Sequence, residues 1–370
     1  MLEKDKTKEK KFAIVTTTIN NPTLLDDYAA DSLNSGYGNL SFIVVGDKKT
    51  DPAAKGFVNG LNEKYPFEFI YMDPNDQISY LKKYPSLETF LPWNCVQRRN
   101  VGILYAYEKK ADIIITIDDD NFIAVPGFLD GHALVDSQND IKHLKSDSKW
   151  LNICDFLEDK NEREFFVRGF PISERKMSRL PKYECQLNRK VVVNGGLWLG
   201  DPDIDAITRL TSPIDVYKYS RNDNFALDKD VWCPFNSQNT ALSSEVIPAY
   251  FLSPHIGRFD DIWASYFVKR VADYFNHSIA FGFPLVKQER NDHNLWNDLE
   301  LELFGNKNTE RLVEWMRSAK ITGNTYKDVS LSLINEIKDK FMNSDDLTTE
   351  ERESFEKFIE GYSIWINLFR

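Results

Sequence analysis

Three consecutive carboxylates, Asp118-Asp119-Asp120, follow the apolar run Ile113-Ile114-Ile115-Thr116-Ile117 and precede Asn121. A buried strand ending in carboxylates delivers them to the carboxyl edge of a sheet, where ligands bind in open α/β folds. If the chain stays extended there, Asp118 and Asp120 share a face. Two carboxylates on one face repel unless a cation or a proton intervenes. Hard oxygen ligands suit Mg²⁺ or Mn²⁺, ions that keep waters and substrate phosphates in their shells. The pattern predicts a divalent cation joining the protein to a diphosphate. An acidic loop closing a strand is the plainer reading of the same residues.

Other candidates lie downstream. Arg168 sits between Phe166-Val167 and Gly169-Phe170-Pro171. Its guanidinium stays protonated and is a poor nucleophile, but its bidentate donors suit a diphosphate. A salt bridge is the ordinary alternative. Gly195-Gly196 before Trp198 permits close backbone approach to a ligand, or marks a β-bulge. Asp203 and Asp205 follow Pro202 and suit sugar hydroxyls or a turn. Asp260-Asp261 open a helical pattern: they either complement its first turn or address an acceptor as base or orienting group. Arg98-Arg99 beside Asn100 suit a phosphate, or a solvated basic pair.

The elements that must position these groups read as α/β. Phe12–Thr18, Ser41–Val45, Phe67–Met72 and Ala111–Ile117 are short, apolar and β-rich. Helical patterns lie between them, ending near Leu33 and spanning Val101–Lys109, so βαβ units and a mostly parallel sheet are expected. Residues 136–190 carry many charges and few clear periods. Asp260–Phe275 reads as a helix, and beyond about 300 the pattern is amphipathic helix with a capping box at Thr348 and Glu351. The expected division is a tail over 1–11, a nucleotide-sugar half over 12–135, an acceptor half over 136–299 and a helical extension over 300–370.

Composition excludes several classes. In 370 residues no apolar run approaches the roughly 18 needed to span a membrane. The charged first eleven residues lack the apolar core of a signal peptide. The four cysteines have no C-x-x-C spacing, which disfavours a zinc site or a disulfide framework; a reducing, cytoplasmic setting is expected. A net charge of −11 argues against nucleic acid as partner.

Thr116 to Ala124, containing Asp118-Asp119-Asp120-Asn121, resembles the D-x-D region of the reversibly glycosylated polypeptides, the UDP-arabinopyranose mutase family of plants. That family normally has Cys where this chain has Asn121. Phe166 to Pro171, Gly196 to Ala206 and Ile256 to Ala264 resemble the family in the same order. The first third is also similar to the STELLO glycosyltransferase-like proteins, through Val44 to Thr50, Leu91-Pro92-Trp93 and Arg99 to Ala106. The resemblance implies a GT-A-like nucleotide-sugar fold, a UDP-sugar donor, and Mn²⁺ or Mg²⁺ on Asp118 and Asp120. It adds Asp119, Arg99, Gly196 and Trp198 to the donor site. Fold analogy places uridine at Thr17 and ribose at Asp47, and makes His293 a further metal ligand. It implies that the arginine matching Arg168 becomes reversibly glycosylated. The main functional expectation is a metal-dependent transferase acting on a glycan or small acceptor, with Asp260 or Asp261 facing the acceptor. The alternatives are a UDP-sugar pyranose/furanose mutase and a non-catalytic scaffold; the tail helices complete the acceptor side or form a homo-oligomer interface.

Overall fold

The computed structural model describes residues 6–177, 182–290 and 294–369. Its strands are β1 (Phe12–Thr18), β2 (Leu40–Gly46), β3 (Glu68–Met72), β4 (Ile113–Ile117), β5 (Asn121–Ile123), β6 (Ser137–Ser146), β7 (Leu157–Asp159), β8 (Lys182–Gly200), β9 (Val216–Tyr219), β10 (Phe225–Leu227), β11 (Asn239–Ser243) and β12 (Ser278–Gln288). Its helices are α1 (Leu25–Asn34), α2 (Ala53–Lys64), α3 (Pro74–Leu81), α4 (Pro85–Phe90), α5 (Arg99–Glu108), α6 (Phe128–His132), α7 (Ala206–Thr211), α8 (Asp260–Tyr274), α9 (Leu295–Ser318), α10 (Tyr326–Met342) and α11 (Thr349–Ile366).

The strands form one sheet in the order β3-β2-β1-β4-β11-β8-β6-β10-β12-β5, with β7 joined through β9 to β8. The chain is α/β with the GT-A-like plan expected: a parallel block β3-β2-β1-β4, continued by mixed pairing and followed by helices. The expected parallel pairing forms the core of the sheet, and β6–β10 and β8–β12 are parallel as well, while the sheet as a whole is mixed. β11 runs antiparallel to β4, and β8 antiparallel to β11 and β6. Parallel pairing needs a crossover of about a dozen residues, usually a helix. The segments leading to β2, β3 and β4 contain α1, α2 and α3 to α5. From β6 to β11 the described residues contain only the six-residue α7.

β2 and β4 are buried at every position, and β1 at all but one. That is why they read as unbroken apolar runs. α5 lies directly on this layer: a Cβ on Gly102 would stand 2.6 Å from Val15 and 2.8 Å from Val45. Only a residue without a side chain lets the helix come so close, and this fixes the start of α5, where Arg99 sits.

The last three helices join the same core. Trp263 of α8 stacks on Phe355, and the Trp365 indole donates to Ile247 O at 2.9 Å. The capping box at Thr348 and Glu351 opens α11 as its pattern predicts. No helix among the described residues is long and apolar enough to cross a membrane.

Candidate functional site

A cleft of about 990 Å³ opens at the carboxyl ends of β1, β2 and β4. Thr17, Asp47, Arg99, Asp118, Asp119, Asp120, Arg168, Asp260 and Asp261 all line it. Thr17 comes from β1, Asp47 follows β2 and the three aspartates follow β4, so adjacent parallel strands deliver them to one edge. A groove of similar size, about 1000 Å³, runs between α4 and α10–α11, but none of these residues lines it.

The aspartates do not continue β4 as an extended strand. The strand ends at Ile117, and residues 118–120 turn the chain into β5, with Asn121 N donating to Asp118 O at 3.4 Å. Aspartate favours such turns. The turn brings all three carboxylates to the cleft, where strand alternation would have split them. Asp118 Oδ1 pairs with Arg99 Nη2 at 2.5 Å, and the Asp118 side chain stays 26% exposed. Asp119 accepts from Thr18 Oγ1 at 2.6 Å, and burial raises its pKa despite that bond. Asp120 accepts from Asn121 Nδ2 at 2.9 Å. Burial and the neighbouring Asp118 charge push its pKa up to about 6, with Arg290 opposing.

Crowded carboxylates with a raised pKa attract a cation. Among the described residues no group of three or more His, Cys, Asp or Glu side chains could hold a metal ion. Asp118 and Asp120 nevertheless offer hard oxygens at an open rim. This fits Mg²⁺ or Mn²⁺, whose remaining ligands come from water and substrate phosphate. His293 lies outside the described residues.

At the other end of the cleft Arg168 is clamped. Its Nε and Nη2 bond the two oxygens of Asp203 at 2.9 and 3.0 Å, and Nη2 also reaches Asp261 Oδ1 at 3.1 Å. Its Nη1 donates to the Arg258 carbonyl. Burial works to lower its pKa, but Asp203 and Asp261 outweigh it and raise the pKa well above the ordinary value. Burial likewise works to raise the pKa of Asp203, but the guanidinium holds it well below the usual carboxylate range. Asp260 is different. Its Oδ2 accepts from Gln97 Nε2 at 2.9 Å, and burial together with Asp261 pushes its pKa up to about 7.

Ser237 ties the two ends together. Its Oγ and carbonyl accept from Arg99 Nη1 at 2.7 and 2.9 Å. Its backbone N–H and Oγ donate to Asp261 Oδ2 at 3.0 and 3.2 Å. One continuous network runs Asp118–Arg99–Ser237–Asp261–Arg168–Asp203. Ser237 and Gln97 escaped the sequence reading. Their signal was the polar stretch Asn236-Ser237-Gln238-Asn239 leading into a strand, and the residue just before the Arg98-Arg99 pair; all are buried.

Other expectations separate from the cleft. Gly196 and Trp198 do not line it. Gly196 lies in β8 and pairs with Gly282 of β12, and a Cβ there would stand 2.3 Å from Asn239 Nδ2 and 2.6 Å from Pro284 O. The close approach it permits is between protein segments. Trp198 is buried beneath, 1% exposed. Asp203 lines the cleft as the Arg168 partner, whereas Asp205 caps α7 by accepting from Thr208 N at 2.9 Å. Asp260 and Asp261 both open α8 and line the cleft, so the helix-start and site readings hold together.

Residues 85–367 match the family model described as reversibly glycosylated polypeptide. The chain is 27% identical over 263 residues to UDP-arabinopyranose mutase 1 of Oryza sativa subsp. japonica, covering 69% of this chain and 68% of that one. It is 31% identical over 185 residues to the probable UDP-arabinopyranose mutase 1 of Zea mays, covering 48% and 47%. Among solved structures, glucosyl-3-phosphoglycerate synthase of Mycobacterium tuberculosis aligns at a TM-score of 0.42 and 11% identity, over 85% of this chain and 81% of that one. With the family model matched over most of its length, this chain belongs to the reversibly glycosylated polypeptide family.

Proposed function

We propose that this protein interconverts the pyranose and furanose forms of a UDP-sugar. The observation that carries the reading is the cleft in which the acidic rim is joined through Arg99, Ser237, Asp261 and Arg168 to Asp203, with the proton-holding Asp260 beside Asp261 at the start of α8. Membership of the family, and relatives named as UDP-arabinopyranose mutases, favour this over transfer to a glycan or small acceptor, which the sequence reading put first.

The isomerisation adds and removes no atoms. The sugar C1–O bond to the diphosphate breaks, the ring oxygen is exchanged for the neighbouring hydroxyl oxygen, and the C1–O bond forms again. One hydroxyl proton is lost and another is regained. Asp260, titrating near 7, holds or releases a proton at its carboxyl with little cost at neutral pH. Asp118 and Asp120 would hold a divalent cation, which would supply positive charge beside the departing diphosphate. Arg168 stays protonated and fully engaged with Asp203, Asp261 and Arg258, so its role here is to orient Asp261 rather than to accept the sugar. Residues 12–135 would carry the nucleotide and 136–299 the sugar. α9 closes that end: its Asp298 and Glu302 hold Arg258 at 3.2 and 3.3 Å.

Incubation with UDP-arabinopyranose and Mn²⁺, followed by chromatography of the nucleotide sugar, tests the reading. A new UDP-furanose peak is expected. Unchanged donor with UDP released only when an acceptor is added would replace the mutase by the transferase, and no binding of either nucleotide sugar would leave the scaffold.

A further inference from the structure

Gln97 is a buried amide beside the proton-holding carboxyl. It lines the cleft, and its Nε2 donates to Asp260 Oδ2 at 2.9 Å. Its backbone belongs to the 3₁₀ turn Val96–Arg98 just before α5. The fully buried Asn100 ties that turn to the segment leading into α8. Asn100 Nδ2 donates to Gln97 O at 2.9 Å and to Leu252 O at 2.8 Å, and its Oδ1 accepts from Leu252 N at 3.1 Å. Two segments far apart in the chain thus hold one neutral amide against one carboxyl oxygen.

This contact decides where the Asp260 proton sits. The Gln97 N–H needs a lone pair on Oδ2. The ionised carboxylate offers one. The protonated carboxyl offers a good one only if its proton is on Oδ1, because a proton on Oδ2 sets donor against donor. One hydrogen bond therefore survives in both protonation states when the proton comes and goes at Oδ1. Among the described residues no side chain bonds Oδ1, and Asp260 lines the cleft.

The geometry points to Gln97 as the positioning residue that directs the Asp260 proton to Oδ1, the oxygen at which it passes to and from the sugar. This rests on the reading that the cleft interconverts the ring forms of a UDP-sugar. One sugar O–H bond breaks as the Oδ1–H bond forms, its electron pair staying on the sugar oxygen, and the proton returns to the oxygen that leaves the ring. The neighbours set how tightly it is held. Burial and Asp261 favour the protonated form, while Arg168, the Asp261 backbone N–H and the Gln97 amide oppose it. Tyr250 also feels the Asp260 charge, but burial raises its pKa well above the ordinary value, so it stays neutral. Among the described residues Gln97 is the one side chain that hydrogen-bonds the Asp260 carboxyl. A bond to the charged form favours that form, so losing the amide strengthens the hold on the proton.

The pH profile of UDP-arabinopyranose conversion by the full chain with Mn²⁺ tests this. Gln97→Met keeps the length of the side chain and removes the amide. The limb of the kcat profile set by Asp260 should move up by about one to two pH units, and kcat at neutral pH should fall about ten- to a hundredfold with KM unchanged. Gln97→Glu, nearly identical in shape, is the second variant should the first fail to fold. Its two carboxyls share one proton, so the limb should move up at least as far. Urea unfolding without substrate is the second readout. Stability from the Asp260 proton is full below about pH 4 and lost as pH rises through the folded pKa. In Gln97→Met that loss should continue above about pH 7, where the wild type has released its proton, and adding Asp260→Asn should abolish the extra loss. A reduced kcat with the limb unmoved would overturn the assignment and leave Gln97 to packing alone. A raised KM with kcat intact would overturn it too, making Gln97 a sugar ligand. A wild-type chain that converts no UDP-sugar overturns the proposed function and this role together, whereas a converting chain whose profile ignores Gln97 overturns this role alone.

Discussion

Asp260 and Asp261 show how one pocket sets two carboxylates to different tasks. Both Asp260 and Asp261 open α8, yet Asp261 faces Arg168 and Ser237 whereas Asp260 meets only the neutral amide of Gln97. The folded chain raises the Asp260 pKa from 3.8 to about 7. Between those values the folded state keeps a proton that the unfolded chain has lost, so stability from this group is full below about pH 4 and is lost as pH rises through 7. Asp260→Asn retains the acceptor for Gln97 and removes the charge. It should therefore be more stable than wild type at pH 8 by at least about 1 kcal/mol, a gain that fades toward pH 4, while sugar conversion falls by about a hundredfold or more; urea unfolding at the two pH values and the chromatographic assay check the two halves. Arg168→Ala leaves Asp203 and Asp261 buried without their counter-charge and should cost about 3–5 kcal/mol in the same unfolding measurement. Because Arg168 is fully engaged, intact-protein mass spectrometry after exposure to a UDP-sugar should find no added sugar on it; a stoichiometric adduct mapped to Arg168 would contradict the clamp.

Among the elements, those whose burial is uniform were legible in advance. β1, β2 and β4 are buried at nearly every position, with α5 lying against all three, so their sequences are plain apolar runs. β6 escaped notice because one face is wet: Ile141, His143 and Leu144 are buried while Gln138, Asp140, Lys142 and Lys145 face water, and the charges mask the period. The site was partly legible for the same reason. Strand-end aspartates announce themselves, but Ser237 acts through backbone and hydroxyl bonds that any serine could make, and the glycines of β8 gave the same signal for protein packing as for ligand approach. α9 adds a close contact of its own, since a Cβ on Gly305 would stand 2.0 Å from the Phe259 ring just before Asp260. Gly305→Ala should destabilise the chain by about 1–3 kcal/mol and weaken conversion more than UDP binding, measured by unfolding and by calorimetry on the same variant.

On the scale of the whole molecule, the helices after β12 are part of the core. Their aromatic side chains meet Phe251, Trp263 and Phe267, and α9 supplies the carboxylates that hold Arg258. The helical extension thus also lines the cleft through Leu301 of α9, the side that the sequence reading offered these helices as one of two expectations. A chain ending after Gln288 should expose those aromatics and fail to fold as a soluble monomer, judged by gel filtration and circular dichroism. A compact, UDP-binding product would show that the helices are dispensable. The most direct test of the account concerns the acidic rim. UDP titrated calorimetrically into the full chain should bind tightly only with Mn²⁺ or Mg²⁺ present, and Asp120→Asn should abolish that metal-dependent gain. Equal binding with and without the metal, or an Asp120→Asn chain that behaves as wild type, would contradict it.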